Sequence, residues 1–242
     1  MSDYLFMLEN HLNAEQNRVL GEVQACAAEQ NLSLFLTGGA MRDMLAGFPI
    51  RDLDFTVEGN GVKLAKTLAA KCGATIIAAD ETKKSAELKF PGGVTVQVAM
   101  ARQEKFTKPG GRSTVHPATI HEDLRGRDFT INAIALSLSR ASRGLLLDPT
   151  NGLGDIESRE LRAVSNYALY DDPARLLRLI RFKIRLGYNI ADRTQSQYAN
   201  VRESGLESKI GSEALAAELR NIANEDKSGE VLEALEQEYD WL

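Results

Sequence analysis

Asp52 and Asp54 carry the clearest chemistry in this chain. They lie in Asp52-Leu53-Asp54-Phe55-Thr56-Val57, whose composition predicts a strand. In a strand, residues two apart share a face with Cα atoms roughly 6.5 Å apart. Both carboxylates then point one way, while Leu53 and Phe55 point into a core. Carboxylates this close repel one another unless a cation separates them. Hard oxygen donors at this spacing suit Mg²⁺ bridging to a triphosphate. Asp-x-Asp also occurs in ordinary surface turns, so the residues before it carry weight.

Those residues are Gly38-Gly39-Ala40-Met41-Arg42-Asp43. An apolar run over residues 32–36 predicts a buried strand, which the glycine pair breaks into a tight turn. Residues 40–46 predict a helix that Gly47 ends, with Pro49 just beyond. Backbone amides at a Gly-Gly turn opening a helix form a phosphate cradle. Arg42, in the first turn, offers a guanidinium fork for the same phosphate.

Further along, Arg127-Asp128-Phe129-Thr130-Ile131-Asn132-Ala133 places an Arg at the start of a helix expected over residues 131–138, with Asp128 or Thr130 as its cap. Asp171-Asp172-Pro173-Ala174-Arg175 then opens a long amphipathic helix, with Asp172 as N-cap and Pro173 at the first helical position. Arg175, Arg178, Arg181 and Arg185 fall on one side of it, and Leu176, Leu177, Ile180 and Ile184 on a broad apolar side. By itself this pattern describes a capped helix with a wet basic face.

Together GGAMRD, the DLD strand and the RDFTINA block resemble the tRNA nucleotidyltransferase and poly(A) polymerase family, in its bacterial-type (class II) branch. The resemblance implies an α/β (α+β) nucleotidyltransferase head over residues 1–160, with a small mixed sheet flanked by helices, and an all-α neck over residues 161–242. It implies Asp52 and Asp54 as metal-holding catalytic residues. Gly38, Gly39, Arg42, Arg127, Asp128 and Asn132 are implied nucleotide contacts. Asp172 and Arg175 would hydrogen-bond the edge of an incoming cytosine or adenine, with Arg178 and Arg181 near the phosphates or neck. Such chemistry is reasonable: a carboxylate accepts from the cytosine N4 amine, and an arginine fork matches base acceptors.

The chain also departs from the family's pattern. An acidic residue is usual where Gln97 stands, before Arg102. Either the third acid is dispensable, or Glu87 or Asp128 substitutes, or metal binding is weakened. Asp171 replaces the usual Glu, and Ala214 the usual Arg of a neck helix expected to have Ser212 as its N-cap. The family continues into body and tail domains that grip tRNA. No such region is expected within these residues, so a second polypeptide is a possible source of that grip.

Between the motifs, spacing predicts one or two helices over residues 3–30, a helix over 61–72 and a strand over 73–79. A hairpin is expected from 86–90 and 94–100, and a last strand at 145–147. Residues 103–121 hold two prolines and a glycine pair and predict a mobile loop, in which Arg112 is a candidate contact.

With 43% hydrophobic and 26% charged residues among 242, the composition suits a soluble globular protein. No apolar run approaches the roughly 18 residues of a membrane span. The N-terminus lacks the basic region of a signal peptide. Cys26 and Cys72 are far apart in sequence with no metal-ligand spacing, which fits a reduced, cytoplasmic setting. His11, His116 and His121 form no cluster. A net charge of −5 argues against a large RNA footprint, although basic residues gather at 125–127 and 175–185.

The expected activity is therefore Mg²⁺-dependent, template-independent addition of C or A from CTP or ATP to a tRNA 3′ end, releasing pyrophosphate. Polyadenylation, transfer to another RNA acceptor, and a catalytically weak nucleotide- or RNA-binding regulator are the competing expectations.

Overall fold

The computed structural model describes residues 3–239. Two helices, α1 (Tyr4–His11) and α2 (Ala14–Glu29), lead into strand β1 (Ser33–Thr37). The Asn13 side chain and Gln16 cap α2 reciprocally. Helix α3 (Gly38–Ala46) follows directly and ends on Gly47 in the left-handed conformation. Then come β2 (Leu53–Glu58), α4 (Gly61–Cys72), β3 (Thr75–Asp80), β4 (Ser85–Lys89) and β5 (Thr95–Met100). A separate hairpin of β6 (Arg102–Phe106) and β7 (Ser113–Pro117) precedes α5 (Ile120–Arg125). A 3₁₀ turn (Thr130–Asn132), β8 (Ala135–Ser137), β9 (Leu146–Leu147), α6 (Gly152–Ser158) and β10 (Glu160–Leu161) complete the first part. Helices α7 (Ala168–Asp171) and α8 (Ala174–Leu186), strand β11 (Asn189–Ile190), and helices α9 (Asp192–Glu203), α10 (Ser212–Ala223) and α11 (Ser228–Glu238) follow.

The main sheet is mixed and seven-stranded, in the order β3-β4-β5-β2-β1-β8-β9, larger than the small sheet expected. Only β2 and β5 pair in parallel within it. Their register sets Asp54 opposite Gln97 and Thr56 opposite Ala99. The next pairing sets Ser85 opposite Ala99 and Glu87 opposite Gln97. One sheet face, with Leu36, Phe55 and Val98, joins Val19 and Val23 of α2 and Leu64 and Leu68 of α4 in an apolar cluster. That cluster runs on through Leu176, Leu177 and Ile180 of α8 to Val231 and Leu235 of α11. The opposite face carries Asp54, Thr56, Gln97 and Ser85.

Several local expectations fail for physical reasons. The expected helix over 131–138 is a 3₁₀ turn followed by β8, which pairs with β1. Residues 131–136 are all buried, and a short run that is apolar apart from Asn132 carries no periodicity to separate helix from central strand. The expected loop over 103–121 is largely the β6–β7 hairpin and the start of α5. Its glycine pair and Pro109 serve the turn, while Pro117 ends β7: Gly110 has φ +64°, and its amide donates to the Tyr170 carbonyl at 3.0 Å. Gly211, rather than Ser212, caps α10, with no side-chain cap bond. Cys26 and Cys72 meet where α2 packs on α4, as free thiols with Sγ atoms 4.0 Å apart.

Candidate active site

The site forms where β1 hands the chain to α3 beside β2. The Thr37 and Thr56 hydroxyls meet at 2.9 Å and tie the two strands together. Gly38 adopts φ +61°, which a side chain would strain. A Cβ on Gly39 would come 3.0 Å from Asp54 Oδ2. The missing side chain lets the carboxylate reach the helix N-terminus, where Oδ2 accepts the Gly39 amide at 3.0 Å and that of Ala40 at 3.4 Å. The amides expected to cradle phosphate are thus given to Asp54.

Asp52 lies exposed just before β2. It lines a small cavity of about 170 Å³ together with Asp54, Arg51 and Arg185. Burial, then the charge of Asp52, raises the Asp54 carboxyl to about 6, against the opposing pull of Arg42. Among the described residues, no three His, Cys, Asp or Glu side chains gather in a metal-binding group.

A larger cavity of about 610 Å³ opens over the polar sheet face. Gly38, Gly39, Asp54, Gln97, Arg127 and Asn132 line it, as do Asp128 and the arginines at 42, 175, 178 and 181. Asp52 and Asp172 do not line this larger cavity. Arg112 is exposed on the β6–β7 turn and does not line it either.

Arg42 is not a free fork. It is 3% exposed, donates to Asp43 at 2.9 Å and Asn132 Oδ1 at 2.8 Å, and stacks on Phe182 at 4.8 Å. Burial lowers its pKa despite Asp43. Arg127 donates to Asp123 at 2.8 Å, to the Thr56 hydroxyl at 3.1 Å and to the Asn132 carbonyl at 3.1 Å. Asp123 lies four residues earlier on α5, a pairing readable from spacing alone.

Asp128 is fully committed. Its Oδ1 accepts from the Phe129 amide at 2.7 Å and Asn132 Nδ2 at 3.0 Å, and its Oδ2 from Arg178 Nη1 at 2.8 Å. Burial opposes its ionisation, yet the charges of Arg178 and Arg175 outweigh burial and hold the carboxyl well below the usual range. Asp128 therefore does not replace the acid missing at Gln97. Glu87 is Gln97's cross-strand neighbour and does not line the cavity.

Pro173, rather than Asp172, is the residue at the N-cap of α8, one position later than expected, while Asp172 closes α7 and its Oδ1 accepts the Ala174 amide at 3.1 Å. The other Asp172 oxygen lies 3.5 Å from Arg175 Nε. The Arg175 Nη atoms donate to the carbonyls of Gly126, Arg127 and Ala168, each at 3.3 Å.

The remaining arginines of α8 meet acids from α10 and the turn after it. Arg178 Nε donates to Glu218 at 2.7 Å. Arg181 reaches Glu218 at 3.4 Å and Glu225 at 2.8 Å, and its guanidinium lies over the Phe182 ring at 4.6 Å. Arg185 bridges Glu225 at 3.4 Å and Asp43 at 2.7 Å. With Arg42, Asn132 and Asp128 these side chains close a circuit of ion pairs and hydrogen bonds at Phe182. Glu218 and Glu225 were not legible as site residues, because no local motif marks a partner about 40 positions away.

Residues 34–162 match the profile of the poly A polymerase head domain. The A-adding tRNA nucleotidyltransferase of Aquifex aeolicus (strain VF5) is 36% identical over 202 residues, covering 84% of this chain and 24% of that protein. The CC-adding tRNA nucleotidyltransferase of Deinococcus radiodurans is 34% identical over 209 residues, covering 86% of this chain and 54% of that protein. A solved tRNA nucleotidyltransferase, complexed with a primer tRNA and an incoming ATP analog, superposes with TM-score 0.73 at 34% identity. That match covers 89% of this chain and 60% of the solved one. The chain thus spans about a quarter to a half of the two curated relatives' lengths.

Proposed function

Because the chain belongs to the poly A polymerase head-domain family, we propose that it is the catalytic portion of an enzyme that adds C or A to a tRNA 3′ end, with CTP or ATP as donor. The observation that carries this reading is Asp54 on the floor of an arginine-lined cavity, with Asp52 two residues away.

In this reading residues 1–160 form the catalytic head and residues 161–242 a helical part that selects the nucleotide. The two carboxylates fit a divalent cation, because burial and mutual repulsion leave Asp54 short of positive charge. Bound there by Asp52 and Asp54, Mg²⁺ would acidify the attacking 3′-hydroxyl and neutralise charge on the phosphates. Gly39 and Ala40 fix the Asp54 rotamer through its Oδ2. Arg127, held by Asp123 and Thr56, faces the triphosphate. Arg175, steadied by Asp172, faces the base edge. Catalysis in this arrangement is positioning plus electrostatics, with no covalent enzyme intermediate.

The test is incubation with Mg²⁺, labelled CTP or ATP, and tRNAs ending at the discriminator base, at C and at CC. Short, defined extension supports the reading, and the accepted end identifies CC, A or CCA addition. Long A tails would favour a poly(A) polymerase instead. Nucleotide binding without incorporation would favour a regulator. These residues by themselves match only part of each relative, so weak tRNA affinity is expected, rising when a partner polypeptide or the relatives' additional length is supplied.

A further inference from the structure

The arginines of the larger cavity are already ion-paired. Arg42 pairs with Asp43, Arg102 with Glu104, Arg127 with Asp123, and Arg175 with Asp172. Arg178 pairs with Asp128 and Glu218, and Arg181 with Glu218 and Glu225. Lys83 also lines this cavity. Among the described residues its ammonium makes no hydrogen bond or close ion pair, although its charge acts on the Glu104 carboxylate, which also lines the cavity and already pairs with Arg102. An anion entering the cavity therefore meets in Lys83 a cation that is not held in a close ion pair.

The turn that presents Lys83 is held from several directions. Asp80 Oδ1 accepts the amides of Thr82 and Lys83, each at 2.8 Å. Lys84 takes φ +49°, and its carbonyl accepts the Met100 amide at 3.2 Å. That carbonyl packs onto Gly61, where an added Cβ would come within 2.5 Å of it. A backbone so constrained fixes the root of the Lys83 side chain, while the side chain itself remains exposed.

The sheet sets the span. Ser85 pairs with Ala99, and Ala99 with Thr56, so Ser85 lies two strand spacings, about 10 Å, from Thr56. Thr56 holds Arg127. Lys83, two residues before Ser85, therefore stands on the rim opposite Arg127 and away from Asp52. A ligand reaching from Asp54 to Lys83 must be extended, and it must carry negative charge at the Lys83 end.

Building on the proposed function, we propose that Lys83 is a binding residue for a phosphate of the extended ligand, belonging either to the nucleotide's triphosphate or to the RNA backbone. The contact is made equally in ground and transition states, so it acts on affinity rather than on turnover.

The experiment compares the wild type with Lys83→Ala, Lys83→Arg and, as a bulk-charge control, Lys63→Ala on the exposed side of α4. One arm measures the affinity of inorganic tripolyphosphate, ATP and CTP. The other measures a short RNA ending in CC across a salt series. Lys83→Ala should weaken one arm roughly tenfold, as for a lost charge-assisted hydrogen bond, and Lys83→Arg should restore it. Loss in the first arm assigns the triphosphate. Loss in the second, with the salt slope reduced by about 1, assigns the RNA backbone. Lys83→Ala matching an active wild type in both arms, or Lys63→Ala weakening binding equally, overturns the Lys83 assignment and leaves the proposed function standing. A wild type that binds no probe overturns both.

Discussion

Asp54 Oδ2 accepts the Gly39 amide at 3.0 Å, so the N-terminus of α3 is filled by a carboxylate of the same chain. Helix N-termini favour anions, and this one holds the carboxylate in place before any ligand arrives. The aspartate is oriented by backbone amides rather than by another side chain.

Asp54→Asn keeps an acceptor for that amide but removes the charge. Incorporation should fall at least about 10²-fold, as expected when an electrostatic contact to the transition state is lost. Asp52→Asn should behave similarly. Neither variant should melt below the wild type in chelator, because each removes the repulsion between the two carboxylates. Wild-type incorporation by both variants at saturating Mg²⁺ would refute the metal assignment.

Asp128 governs acid stability. Its folded-state pKa lies below the ordinary 3.8, so its contribution is present in full above that value and fades as pH falls toward the folded one. Asp128→Asn should cost about 3 kcal/mol at neutral pH, because Arg178 loses a buried partner. It should also flatten the loss of stability below about pH 4. Denaturant melts of the two proteins from pH 3 to 7, on the order of four points, would reveal parallel curves if the pair is unimportant.

Arg175→Ala should change the choice of base more than the binding of triphosphate. One lost pair of base hydrogen bonds costs roughly 1–3 kcal/mol of discrimination. Incorporation efficiencies for CTP, ATP, UTP and GTP would measure it. An unaltered order and ratio would leave Asp172 and Arg175 as a helix cap and its neighbour.

Glu218→Ala should destabilise the protein by about 3 kcal/mol, since Arg178 and Arg181 both lose a buried counter-ion. The combination Glu218→Leu, Arg178→Met and Asp128→Asn, which leaves neither carboxylate facing a missing arginine, should recover much of that loss. A triple variant no more stable than the single one would show that the network contributes through geometry rather than charge.

The parts of the site legible in the sequence are those whose signals are local. The glycine pair and the strand that carries Asp54 announce themselves within a few residues and are found where expected, whereas Asp52 falls just before the strand and the N-cap of α8 is Pro173, one position after Asp172. The Thr119-x-x-Glu122 capping box that opens α5 is equally local. What stayed hidden depended on distance along the chain. The arginines of α8 looked like a wet basic face because spacing shows which residues share a side of a helix but not what covers it. Their cover comes from Glu218 and Glu225, and Arg181 is 7% exposed as a result. The strand nature of residues 135–137 was hidden because β1 supplies its pairing from a hundred residues earlier.

The circuit at Phe182 has a consequence for how this protein can drift. Each acid in it answers at least one arginine or amide contributed from elsewhere in the chain, and Arg178, Arg181 and Arg185 each answer two groups. A lineage that loses one member carries a stranded charge until a second substitution follows. Exchanges at positions 43, 128, 178, 181, 185, 218 and 225 should therefore be inherited as compensated sets, so the active-site wall and the C-terminal helices are constrained to evolve together.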